Sequence, residues 1–210
     1  MKILNLYAGI GGNRKLWGDE HEITAVEFDS AIAKAYQTRF PSDEVVVGDA
    51  KQYLLDHYKE FDFIWASPPC QTHTAIRQCK VDCVDNPRGK VDAVFIDMSL
   101  YQIILFLTHN NPNSFSWVVE NVMPYYEPLI KPSTKIDRHS YWSNFNISVI
   151  AVVKDTIIEK TVMADCDFNL TGYGIKRTQQ VIRNQVNYET GKHILDCAMG
   201  TVQHKQGGLF

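Results

Sequence analysis

Five short apolar runs, each broken by a glycine, a proline or a carboxylate, alternate with longer amphipathic stretches along this 210-residue chain. The runs are Lys2–Tyr7, Glu22–Phe28, Glu44–Val47, Phe61–Ala66 and Ser116–Val119. Between them the spacing predicts helices over Ser30–Phe40, closed by Pro41, over Lys51–Tyr58 and over Asp92–Leu107, which ends at His109-Asn110-Asn111-Pro112. A further helical pattern covers Lys176–Ala198. Strand and helix in strict alternation imply an α/β fold, a parallel sheet with helices on both faces. Ligands of such sheets bind beyond the carboxyl ends of the strands. The unusual polar motifs of this chain all stand at those ends.

Composition narrows the class. Hydrophobic residues make up 45% and charged residues 21%, the profile of an ordinary globular protein. A net charge of −3 is not the footprint of a protein that coats nucleic acid. Contact with a polyanion must come from local basic segments: Arg77, Lys80, Arg88 and Lys90; Lys131, Lys135 and Arg138; Lys176, Arg177 and Arg183. The N-terminus runs straight into a strand pattern without a signal peptide's apolar region, and no apolar run approaches the ~20 residues of a membrane span. Five cysteines without a framework spacing imply a reduced, cytoplasmic protein. Cys79 and Cys83 have no second ligand pair at metal spacing, so no metal site is predicted. Without repeats or a linker, residues 1–210 read as one domain.

Three segments carry chemistry. Gly9-Ile10-Gly11-Gly12 follows the first strand, where glycines let the backbone turn tightly and approach a ligand. Glu27-Phe28-Asp29 and Gly48-Asp49 close the next two strands, at the places where acids reach ribose hydroxyls and an adenine amino group. The same acids could equally cap the helices that follow. After the fourth strand, Ser67-Pro68-Pro69-Cys70-Gln71 presents a thiol on a stiff turn, since two prolines remove backbone donors and fix φ. That thiol is either a nucleophile, needing a lowered pKa or a nearby base, or a small buried hydrophobe. Glu120-Asn121-Val122 closes the fifth strand. A carboxyl group emerging from an apolar strand is costly to bury unless paired or protonated, and a protonated one can donate to a ring nitrogen. Cys70 and Glu120 on neighbouring strand ends could reach one planar substrate.

Together and in this order, these segments resemble the DNA (cytosine-5)-methyltransferase family. Asn5–Gly12 resembles its cofactor glycine motif, Pro68-Pro69-Cys70-Gln71 its Pro-Pro-Cys-Gln, and Glu120-Asn121-Val122 its Glu-Asn-Val. Arg138, opening RHSYWSNF, sits about where the family has a base-contacting arginine, and Gln180–Val186 resembles its last motif. The resemblance implies a Rossmann-like S-adenosylmethionine-dependent methyltransferase sheet acting on duplex DNA. It implies catalytic roles for Cys70, as nucleophile on carbon 6 of an extruded cytosine, and for Glu120, Asn121 and Arg138. The cofactor, S-adenosyl-L-methionine, would lie against Tyr7, Gly9, Gly11, Glu27, Phe28, Asp49 and Pro69, with Asn184 and Val186 closing its methionine side. Residues 176–199 would form the C-terminal helix that returns to this pocket.

Three departures from the family pattern stand out. Asn5 occupies a position that is usually acidic, and Ser140 a position that is usually a second arginine. The long target-recognition region is reduced to about residues 154–175, which implies a short or loosely defined DNA site. Compact forms of this kind resemble those of bacterial viruses. In the tail, residues 203–210, Gln206-Gly207-Gly208-Leu209-Phe210 resembles peptides that dock on bacterial sliding clamps. Three rival functions stay open on sequence: a cytosine-5 methyltransferase acting on tRNA, a non-catalytic DNA- or cofactor-binding module, and transfer of a group other than methyl.

Overall fold

The computed structural model describes residues 1–74, 94–111, 114–148 and 168–201. Seven strands form one sheet: β1 (Lys2–Leu6), β2 (Glu22–Glu27), β3 (Glu44–Val47), β4 (Phe63–Ala66), β5 (Ser116–Val122), β6 (Thr134–Ile136) and β7 (His139–Ser143), in the order β3-β2-β1-β4-β5-β7-β6. β1 to β5 pair in parallel, and β7 adds antiparallel to both β5 and β6. The helices are α1 (Ser30–Arg39), α2 (Ala50–His57), α3 (Ser99–Asn110), α4 (Thr178–Arg183) and α5 (Tyr188–Ala198).

The central strands are apolar on both faces because both are covered. Leu4, Leu6, Ile64 and Val119 belong to one core layer with Leu100, Ile104 and Leu107 of α3. Ile3, Phe63, Trp65 and Val118 belong to the other, with Trp17 and with Ile194 and Leu195 of α5. The chain reverses between β1 and β4, the point at which a crevice opens beyond the strand ends. Asp29 and Asp49 cap α1 and α2, each accepting from two backbone N–H groups of the first turn.

Four features depart from the sequence reading. β5 runs on to Val122 because β7 supplies a hydrogen-bonding partner as far as the Val122–His139 pair. The β6–β7 hairpin has no signal in the sequence, for β6 has only three residues and the turn Asp137-Arg138 puts a non-glycine residue, Asp137, at φ 51°. α3 starts at Ser99 rather than Asp92, its first turn held by Asp97, whose carboxylate accepts from Ser99 N–H. The C-terminal pattern is two helices, because Asn187 caps a new one by accepting from Thr190 N–H. Arg77, Lys80, Arg88, Lys90, Cys79 and Cys83, most of residues 154–175, and the tail with Gln206, Leu209 and Phe210 lie outside the described residues. Among the described residues no helix is long and apolar enough to cross a membrane.

α5 is fastened to the loop after β1. Trp17 Nε1 donates to the Gly191 carbonyl at 3.1 Å, and a Cβ on Gly191 would run into the backbone of Asn13. Beside them Arg14 is buried and paired with Asp43 at 2.9 Å, and Tyr36 donates to the same carboxylate at 2.8 Å. Gly191→Ala is therefore expected to destabilise the fold by about 1–3 kcal/mol, the usual cost of overpacking against a wall that cannot move. Urea denaturation would show it, and an unchanged midpoint would contradict the close approach.

Candidate active site

A cleft of about 730 Å³ opens beyond the carboxyl ends of β1, β2, β4 and β5. Its first half is built from the loop after β1. Tyr7 and Gly9 have φ of 57° and 56°, the left-handed region in which glycine is at ease and tyrosine must be held by its surroundings. A Cβ on Gly9 would meet nothing within 4 Å, so space opens directly in front of its backbone. Gly9 N–H donates to Glu27 Oε2 and Asp29 N–H to Glu27 Oε1, both at 2.9 Å. The Glu27 carboxylate is thus locked in place while each oxygen keeps a second acceptor site. Burial pushes its pKa up, and the backbone donors oppose that rise. Next to it the Phe28 ring is 80% exposed at the cleft edge. Asp49 lines the same wall, with one oxygen engaged in capping α2 and the other without a helix partner.

Asn5 is fully buried, yet its amide is satisfied. Asn13 Nδ2 donates to Asn5 Oδ1 at 2.9 Å and Asn5 Nδ2 donates in return at 3.4 Å. The opposite wall comes from α4 and the residues on either side of it, including Lys176, Arg177, Arg183, Asn184 and Val186.

The second half gathers the reactive groups. Beyond β4, Trp65 Nε1 donates to Ser67 Oγ at 2.8 Å, and the Pro68 carbonyl accepts from Asn121 Nδ2 at 2.9 Å. These bonds pin a turn whose prolines have no N–H of their own to give. Cys70 follows, and its carbonyl accepts from His73 N–H at 2.9 Å and Thr74 N–H at 3.2 Å. His73 is buried, with Nδ1 2.6 Å from the Tyr126 hydroxyl, which in turn meets the Tyr101 hydroxyl at 3.2 Å. Glu120 is 6% exposed, and His139 Nε2 lies 3.7 Å from its Oε1. Burial pushes the Cys70 thiol up, and the charge of Glu120 pushes it further. The thiol therefore starts above its ordinary range, not below it as a pre-activated nucleophile would.

Most of the predicted residues line this cleft: Tyr7, Gly9, Glu27, Phe28, Asp49, Pro69, Cys70, Glu120, Asn121, Asn184 and Val186. Two do not. Gly11 turns the other way, where a Cβ would collide with Phe40 and Tyr36, so it is a packing glycine. Arg138 stands in the β6–β7 turn, its side chain 61% exposed and 3.6 Å from Asp137. His139, Asn13, Asp97 and Ser67 line the cleft without having been singled out. No signal in His139–Ser143 marks it, because the run does not alternate polar and apolar residues.

The model of C-5 cytosine-specific DNA methylases matches residues 1–124, more than half the chain. The chain belongs to this family. As a C-5 cytosine-specific methylase by family, it takes S-adenosylmethionine as cofactor. Similar solved structures include a DNMT2 variant from Spodoptera frugiperda (26% identity, 58% of this chain and 35% of that one, TM-score 0.38). Others are an S-adenosylmethionine-dependent methyltransferase from Agrobacterium tumefaciens (18%, 60% and 40%, 0.39) and an RNA methyltransferase from Salinibacter ruber in complex with S-adenosylhomocysteine (10%, 73% and 86%, 0.37). The chain spans little more than a third of the DNMT2 structure, 35% of its length. No curated protein matches it.

In this methylase-family chain the two causes of the raised Cys70 pKa can be separated. Alkylation by iodoacetamide is expected to reach half its maximal rate above the ordinary thiol range of about 8–9. Glu120→Gln removes the carboxylate charge and is expected to move that midpoint to lower pH. An unmoved midpoint would show that Glu120 does not act on the thiol.

Proposed function

We propose that this chain transfers a methyl group from S-adenosylmethionine to carbon 5 of cytosine in DNA, through a covalent adduct between Cys70 and a base flipped out of the duplex. The observation that carries this reading is the placing of Cys70 and Glu120 in one cleft with the Gly9–Glu27 cradle. The cradle suits the cofactor: open space before Gly9, an immobilised carboxylate for ribose hydroxyls, and an exposed Phe28 ring for a purine face. When bound, the cofactor supplies an electrophilic methyl on a sulfonium.

Cys70 Sγ forms a bond to carbon 6, and the 5,6 double-bond electrons move to carbon 5. The thiol proton passes to water as that bond forms, and Glu120 gives a proton to N3 while accepting from the exocyclic amine. A Glu120 that is protonated against N3 no longer opposes the thiolate, which links arrival of the base to activation of Cys70. Asn121 holds the turn through Pro68 and keeps Sγ on its strand end. After methylation carbon 5 releases its proton to water, the returning electrons expel Cys70 as thiolate, N3 returns its proton to Glu120, and the thiolate takes one from water.

DNA is favoured over RNA by the family to which residues 1–124 belong. Purified chain with methyl-labelled cofactor, offered duplex DNA and tRNA in parallel, is expected to give 5-methylcytosine in DNA alone, and none with Cys70→Ala. Label in tRNA alone would overturn the substrate. Transfer that survives Cys70→Ala would overturn the covalent step.

A further inference from the structure

Strand pairing, not chain order, decides which side chain of the β6–β7 hairpin reaches the reactive end of the cleft. Glu120 and Tyr141 are direct cross-strand partners and share one face. His139, two residues before Tyr141, shares that face, and the intervening Ser140 is turned to the other, beside Asn121. The accessibilities agree. The His139 side chain is 17% exposed and lies 3.7 Å from Glu120, whereas Arg138 is 61% exposed and held near Asp137. Of the described hairpin residues, His139 is the one within ion-pair distance of the buried Glu120 carboxyl, at the end of the cleft that also holds Cys70.

We infer that His139 is the catalytic residue that this hairpin supplies at the base-binding end: its imidazole faces Glu120 and donates a hydrogen bond to the carbonyl oxygen of the base. This rests on the methyl-transfer reading above.

The test is kcat and KM on duplex DNA for the parent chain, His139→Ala, His139→Arg and Arg138→Gln. His139→Ala is expected to lose roughly 10²-fold in kcat, the usual effect of removing one preorganised donor. His139→Arg, which restores a donor, should recover much of that loss, and Arg138→Gln should lose far less than His139→Ala. A kcat unchanged in His139→Ala, or lost equally in Arg138→Gln, overturns the assignment while leaving methyl transfer intact. A parent chain that methylates neither nucleic acid overturns the catalytic role together with the proposed reaction.

Discussion

The amide of Asn121 reaches from the end of β5 to the carbonyl of Pro68 beyond β4, a span of 2.9 Å between two strand ends. A double proline cannot hold itself in place by donating backbone hydrogen bonds, so the turn that carries Cys70 depends on acceptors that others satisfy. Asn121 provides the buried link, and Trp65 provides another through Ser67. Both are fixed by the sheet, because β4 and β5 pair directly from Phe63–Ser116 to Ala66–Val119. The position of the thiol is thus a consequence of parallel pairing among fully buried strands.

The same logic runs through the Gly9–Glu27 half of the cleft. Glu27 ends β2, but its orientation comes from the N–H groups of Gly9 and Asp29 on either side of it. Asp49 serves both as a helix cap and as a cleft wall, so capping and ligand binding were never exclusive alternatives for it. α5 holds the floor from beneath, through Trp17 and the bare backbone of Gly191. Buried Asn5 shows how a departure from the family pattern is accommodated: the lost charge is replaced by a reciprocal amide pair with Asn13.

Electrostatically this end of the cleft favours a neutral thiol: burial and the charge of Glu120 both push the Cys70 pKa up. A cysteine kept protonated is protected from adventitious alkylation and oxidation, which act on the thiolate.

Residue order alone determined much of this protein. The apolar runs and their breakers mark β1 to β5, because a strand buried on both faces must be apolar throughout and must end where polar groups begin. The Pro-Pro-Cys-Gln and Glu-Asn-Val segments pointed to Cys70, Glu120 and Asn121, since their chemistry is written in adjacent residues. Only the tertiary structure decided the rest. β6 is too short to carry a periodic signal, so the β6–β7 hairpin and the facing of His139 rather than Arg138 appear only once β7 pairs with β5. Side chains in a strand alternate with period two, and one residue of offset sends a charge to the opposite face. Gly11 and Gly9 look alike in the sequence, yet Tyr36 of α1 and its C-cap Phe40 make one a packing contact and leave the other open to the cleft.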